Sequence, residues 1–174
     1  MSFYVLHPAM KKRPYIVNEK PLPVGYWQDF FSSSSHDSWI ALPYRVECRS
    51  APLGDALGWI GGMSLFSKAA TDLMSDATGG NLKFAFFGNV KNKPYWIMST
   101  VPTVADLRAE TIANAGPIFC LPGQQLVEIF ADEIIPKMIV AEKLKGFQFR
   151  TPHQPHLKAL FKGEDVNAYP GVLA

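Results

Sequence analysis

The chain predicts an α+β fold: mostly antiparallel sheet with two principal helices. Three observations carry this. Segments 68–77 and 132–145 place apolar residues at helical spacing. Short runs of β-forming residues, bounded by turn signals, fill much of the rest, and 82–98 reads as a β-hairpin. The composition suits a packed core, with 48% hydrophobic, 13% aromatic and 18% charged residues. A disordered chain needs low hydrophobicity and high net charge. At 174 residues, residues 1–174 are expected to form a single domain, with the tail 152–174 loosely attached.

Phe3-Tyr4-Val5-Leu6 opens as a strand that Pro8 is expected to stop. Residues 7–43 carry few helix signals and five prolines, Pro8, Pro14, Pro21, Pro23 and Pro43. Extended segments and turns are expected there, with a long surface loop around 30–38. Residues 42–47 alternate and suggest a second strand. Residues 51–62 are glycine-rich, with Leu53, Leu57, Trp59 and Ile60 as apolar anchors.

Ser67 is placed to cap a helix over 68–77, because its hydroxyl can accept a free N–H of the first turn. Gly79-Gly80 ends that helix. The hairpin follows, with a polar turn over 89–92. Thr103 is expected to cap a short helix or turn over 103–110. Residues 117–121 and 126–130 read as strands about a Pro122-Gly123 turn. Asp132 is expected to start a helix running to about Lys145, with Pro136 near its first turn, where a missing N–H costs little. Gly146 suits the left-handed position that closes a helix. Phe147-Gln148-Phe149-Arg150 is a strand with both rings on one side.

The two strand–helix–strand units resemble each other. Residues 65–68 align with 129–132 and 73–74 with 137–138, both at an offset of 64; Phe84-x-Phe86 aligns with Phe147-x-Phe149 at an offset of 63. A duplicated unit is one explanation, with both helices packing on one sheet face.

Charge excludes little but is informative. Seventeen Lys and Arg against fifteen Asp and Glu leave +2, too balanced to advertise nucleic acid or an anionic membrane. Lys11-Lys12-Arg13 is short for a nucleic-acid patch. The amino-terminal apolar run is four residues long with basic residues after it, the reverse of a signal peptide. No window approaches 18 apolar residues. A cytoplasmic location is expected, with no membrane and no nucleic acid as partner. Cys48 and Cys120 lack a CxxC pattern and read as free thiols.

Motifs for chemistry are weak. His153 and His156 lack the further ligands that zinc needs. Ser35-His36-Asp37-Ser38 holds the residue types of a hydrolytic triad, but neighbours in sequence cannot form the relay. Residues 54–62 match neither GxGxxG nor a P-loop. Asp132-Glu133 fit helix-end electrostatics. No catalytic residue, metal or cofactor is expected. The unusual feature is the concentration of rings at Tyr26, Trp27, Phe30, Phe31 and Trp39. Such side chains either anchor interfaces or complete the core of a helix-poor region.

Several segments together resemble a known family. These are Phe3-Tyr4-Val5-Leu6, the helix-heading Leu65-Phe66-Ser67-Lys68, and Ile118-Phe119-Cys120-Leu121. The run Ile129-Phe130-Ala131-Asp132-Glu133 through Leu144-Lys145-Gly146-Phe147-Gln148-Phe149 completes the set. In this order they resemble the α+β immunity proteins of bacterial polymorphic toxin systems, over residues 1–6 and about 60–152. The resemblance implies stoichiometric, non-covalent inhibition of a cognate toxin, with no enzyme activity. For the toxin-facing patch the expected residues are Trp27, Asp29, Phe31, Asp37 and Trp39. Two other classes stay open. One is a small α+β hydrolase or transferase using His36, Asp37 or Cys48. The other is an interaction domain that forms a homodimer through the hairpin edge.

Overall fold

The structure, a computed structural model, describes residues 3–9, 13–33, 36, 42–48, 50–60, 63–105, 109–122 and 128–150. Two mostly antiparallel sheets hold the strands, and four helices are present among the described residues. The α+β class is therefore correct.

The smaller sheet has the order β10-β1-β9-β8. It comprises β1 (Phe3–Pro8), β8 (Ile118–Cys120), β9 (Ile129–Asp132) and β10 (Phe147–Arg150). The strand β1 runs through Pro8, past the expected stop. Only β10 pairs with it there, through Phe147, while β9 pairs with residues 3–5. A proline is tolerated where one side of the strand needs no ladder N–H.

The larger sheet has the order β3-β2-β4-β5-β7-β6. Its strands are β2 (Tyr15–Asn18), β3 (Tyr44–Glu47), β4 (Ala56–Ile60), β5 (Leu65–Phe66), β6 (Lys83–Val90) and β7 (Lys93–Thr100). All pairs are antiparallel except β2 with β4. The sheet curls until its two edge strands meet. The Tyr44 hydroxyl on β3 donates to the Asn89 carbonyl on β6 at 2.9 Å, and the Tyr44 ring lies 5.0 Å from Phe87. The hairpin is present with a tighter turn than expected. Lys91 and Asn92, at φ 48° and 64°, form a two-residue loop. Two positive φ values match the twist of the flanking strands.

Helix α1 (Tyr26–Ser32) corrects the expectation of a helix-free segment over 7–43. Pro21, Pro23 and Gly25 mark its approach instead of a chain of turns; Gly25 sits at φ 82° as its N-cap. Helix α2 (Lys68–Ala77) starts as expected, with Ser67 Oγ accepting from the Ala70 N–H at 3.3 Å. Helix α3 (Ala109–Ala115) lies later than the expected 103–110 element. Thr103 caps no helix; it bridges to Cys120. Helix α4 (Ile134–Ala141) is shorter than 132–145, because Asp132 still belongs to β9 and accepts the Ile134 N–H on Oδ1 at 2.8 Å. Pro136 does fall in its first turn. The left-handed residue after α4 is Lys143, at φ 56°.

Gly146 serves another purpose. A Cβ there would stand 2.5 Å from the Ala56 carbonyl, and one on Gly54 would stand 2.9 Å from that of Lys145. Two glycines let the chain entering β10 lie against the start of β4. Asp55 locks the junction. Its carboxylate accepts from Ser67 Oγ and from the Lys145 N–H, both at 2.8 Å, and its own N–H donates to the Lys145 carbonyl at 2.6 Å.

The two repeated units share one topology. In the first, β5 and β6 flank β7, with α2 between them in sequence. In the second, β9 and β10 flank β1, with α4 between. Each is a split β–α–β unit. Their helices do not share one sheet face: α2 packs against β7, α4 against β9, and the two against each other. The main core joins both sheets, through Leu6, Ile118, Cys120 and Ala131 on one side and Leu57, Leu65, Tyr95 and Ile97 on the other. The small sheet is buried on its second face too. There Phe3, Val5, Phe119, Leu121 and Phe130 meet Ile112 of α3.

Candidate functional site

The sequence expectation centred on α1. Trp27, Phe30 and Phe31 stand three and four residues apart, so one face of the short helix carries them all. That face turns inward over the mouth of the curled sheet. The Trp27 ring lies 5.2 Å from Trp59, 5.7 Å from Phe30 and 6.2 Å from Phe31. Trp59 in turn contacts Phe87 at 5.1 Å and donates its indole N–H to Asn18 Oδ1 at 2.9 Å. Phe30 is buried, whereas Trp27 and Phe31 are half-buried against the main core. Asp29 is exposed on the far side of the helix, away from these rings. The structure thus brings Trp27 and Phe31 together and separates Asp29 from them. Asp37 and Trp39 lie outside the described residues.

The residues named for an enzyme are equally informative. The His36 ring packs 4.5 Å from Phe30, and its Nε2–H donates to the Phe30 carbonyl at 2.7 Å. That histidine tethers the chain beyond α1. Cys48 is exposed at the end of β3, with φ 52°. Cys120 is buried, and burial pushes its thiol up from the usual range, only partly offset by the Thr103 hydroxyl at 3.5 Å. A raised thiol pKa is the opposite of what a nucleophile needs. His153 and His156 lie outside the described residues. Among the described residues no group of three or more His, Cys, Asp or Glu side chains gathers as a metal site. An open depression of about 410 Å³ is lined by Thr103, Val104, Thr111, Asn114 and Ala115. Among the described residues its walls carry no titratable side chain.

The outer face of the β6–β7 hairpin is the surface that sequence reasoning missed. Phe84 and Phe86 share one face of β6, opposite Met98 and Trp96 of β7. Phe84 turns toward the core and meets the buried Phe66 at 6.1 Å. Phe86 is 51% exposed, with its ring 5.6 Å from half-buried Trp96 at an angle of 64°. The register, F-x-F against W-x-M, was readable. Exposure was not, because period-2 alternation says which side chains share a face and not what covers it.

Lys83 and Lys93 each stand three residues from these rings, an odd spacing that puts them on the other face of the strands. The hairpin 83–100 carries Lys83, Lys91 and Lys93 and no carboxylate. Lys83 and Lys93 are exposed at opposite ends of the ribbon, while the Lys91 ammonium donates to the Ala51 carbonyl at 3.3 Å.

Compared with known proteins, the chain matches no family model and no curated protein. No helix among the described residues is long and apolar enough to cross a membrane.

Proposed function

We propose that this is an immunity protein. It binds a cognate bacterial toxin in the cytoplasm and neutralises it by stoichiometric, non-covalent inhibition. The partner is a protein, not nucleic acid or a membrane. The observation that supports binding is the Phe86–Trp96 pair: large rings held at the surface of the larger sheet, on a hairpin whose other face is core. Rigid aromatic anchors give contact area at low entropic cost, and such residues dominate interface energetics. The toxin class follows from the sequence resemblance. No bond needs to form or break, so affinity comes from a central apolar cluster and a polar rim.

The test is capture followed by activity. The purified full chain is immobilised, and lysate of its source, containing neighbouring gene products, is passed over it at high salt. One stoichiometric partner whose toxicity to cells is suppressed in the complex is the expected result. Absence of such a partner, or a captured protein that remains fully toxic in the complex, overturns the proposal.

A further inference from the structure

We infer that His7 makes the docking of the edge strand β10 on β1 sensitive to acid: β10 rests on a neutral imidazole, and protonating that ring loosens the Gln148–Arg150 end of the strand. The inference concerns the fold and stands apart from the binding function proposed above.

The first ground is register. His7 of β1 stands opposite Gln148 of β10, and Val5 stands opposite Arg150. Side chains opposite each other, and those two apart on a strand, share one face. His7, Gln148 and Arg150 therefore lie on the face whose apolar part is Phe3, Val5, Phe119, Leu121 and Phe130. The half-buried His7 stands at the margin of that cluster. Continuing the β1–β9 register by two residues brings Glu128 opposite His7. Among the described residues, Arg150 from the β10 side and Glu128 from the β9 side are the charged groups that act on the ring. Burial, and next the Arg150 charge, push the imidazole below its usual 6.5, with Glu128 opposing. Undocking β10 removes the repulsion from Arg150 and admits water to the ring, while Glu128 stays beside it. The imidazolium is therefore favoured in the undocked state. A base held below its ordinary value adds stability that is fully present above pH 6.5 and is lost as pH falls through the folded value.

The second ground is that β10 is held unevenly. It is an edge strand whose ladder partner is β1. Its beginning is pinned: the Ala9 N–H donates to the Gly146 carbonyl at 2.7 Å, and the N–H groups of Asp55 and Ala56 donate to the Lys145 carbonyl at 2.6 and 3.2 Å. Its far end rests on the β1 ladder and on the contact of Phe149 with Tyr4. There the Arg150 guanidinium donates to Gln148 Oε1 at 3.0 Å, a bond within β10 and not across to β1. Opening therefore starts at the end where His7 sits. Hydrogen-bonded pairs alternate along an antiparallel ladder. The Ala9–Gly146 bond thus assigns His7–Gln148 and Val5–Arg150 to the bonded set, so the amides of Gln148 and Arg150 report on docking.

The test is amide hydrogen exchange of the full chain, read by NMR as protection factors so that the intrinsic pH dependence of exchange cancels. Between about pH 7.5 and about pH 5 the protection of the Gln148 and Arg150 amides is expected to fall at least about threefold, while that of β8 and β9 holds. In His7→Gln, uncharged at both pH values, the fall is expected to vanish; in Arg150→Gln it is expected to shrink. The His7 ring protons of the wild type, followed in the same samples, are expected to titrate below pH 6.5, and at higher pH in Arg150→Gln than in the wild type. This second reading decides the matter even if His7→Gln fails to fold. Constant protection in the wild type, an equal fall in His7→Gln, a fall shared equally by β8 and β9, or a His7 ring that titrates at or above pH 6.5 overturns the inference. None of these outcomes bears on toxin neutralisation, so the inference and the immunity function fail separately.

Discussion

The two split β–α–β units have the same topology and treat their paired rings differently. On β10, Phe147 and Phe149 stack in parallel 6.4 Å apart, both half-buried against the core, and Tyr4 of β1 closes on Phe149 at 5.9 Å. On the equivalent β6, Phe84 turns toward Phe66 while Phe86 stays out beside Trp96. Phe66 touches both units, since its ring also stacks 6.0 Å from Phe147. The same F-x-F pattern thus builds the same strand, and the neighbouring elements decide whether its second ring becomes core or contact surface.

The largest expected effect comes from the residue the units share. Phe66→Ala leaves a cavity between Phe84 and Phe147 and is expected to cost about 3–5 kcal/mol, the range for buried Phe to Ala. Denaturant unfolding measures this. A cost below about 1 kcal/mol would mean that the two units pack independently.

Next comes an alkaline transition confined to the first unit. Tyr95 of β7 is buried, donates its hydroxyl to the Gly54 carbonyl at 2.6 Å, and is pushed by burial, and secondarily by the Asp55 charge, from 10.0 up to about 12. The folded state therefore holds this proton more tightly than the unfolded one. Its contribution is fully present below pH 10 and is lost as pH rises toward 12. The stability of Tyr95→Phe is expected to fall less steeply over that window. Equal slopes would remove Tyr95 from the account.

Helix capping should distinguish the units more finely. Ser67→Ala removes the cap of α2 and the bond to Asp55, an expected loss of about 1 kcal/mol. The bond from the Ile134 N–H to the Asp132 carboxylate at the start of α4 remains. Hydrogen exchange is expected to quicken in the first turn of α2 and not in α4. Equal quickening in both would show that Asp55 transmits the change across the junction.

The smallest effect on stability is expected at Phe86. Phe86→Ser should shift unfolding by no more than about 0.5 kcal/mol. Phe149→Ser, at the equivalent site, should cost more, because its ring is half-buried between Phe147 and Tyr4. Similar costs for the two would erase the contrast between units.

Much of the secondary structure was legible where patterns are local. Ser67, Gly79 and Gly80 bracket α2 as read, and the two F-x-F strands align as the internal similarity implied. What was missed is equally specific. The short helix α1 was hidden by Pro21, Pro23 and Gly25, which read as turn residues although Trp27, Phe30 and Phe31 already had helical spacing. The strand β4 was hidden by Gly58 within it and by the glycines on either side of it. Gly146 was read as a helix end, because nothing local shows that its true neighbour is Ala56. For the candidate site, the rings of α1 were legible as a cluster but not as residues turned inward, and Phe86 was legible as a strand residue but not as an exposed one.

The sequence by itself determined the α+β class, the two helices of the repeated units and the hairpin. Capping, turn chemistry and hydrophobic period act over a few residues, so they are written locally. The tertiary structure alone decided that the larger sheet curls until Tyr44 meets Asn89, that Asp55 ties α2 to the chain before β10, and which ring of each pair is covered. Those outcomes depend on groups 12 to 90 residues apart in the chain, and burial is a property of the neighbours that packing brings, not of the residue itself.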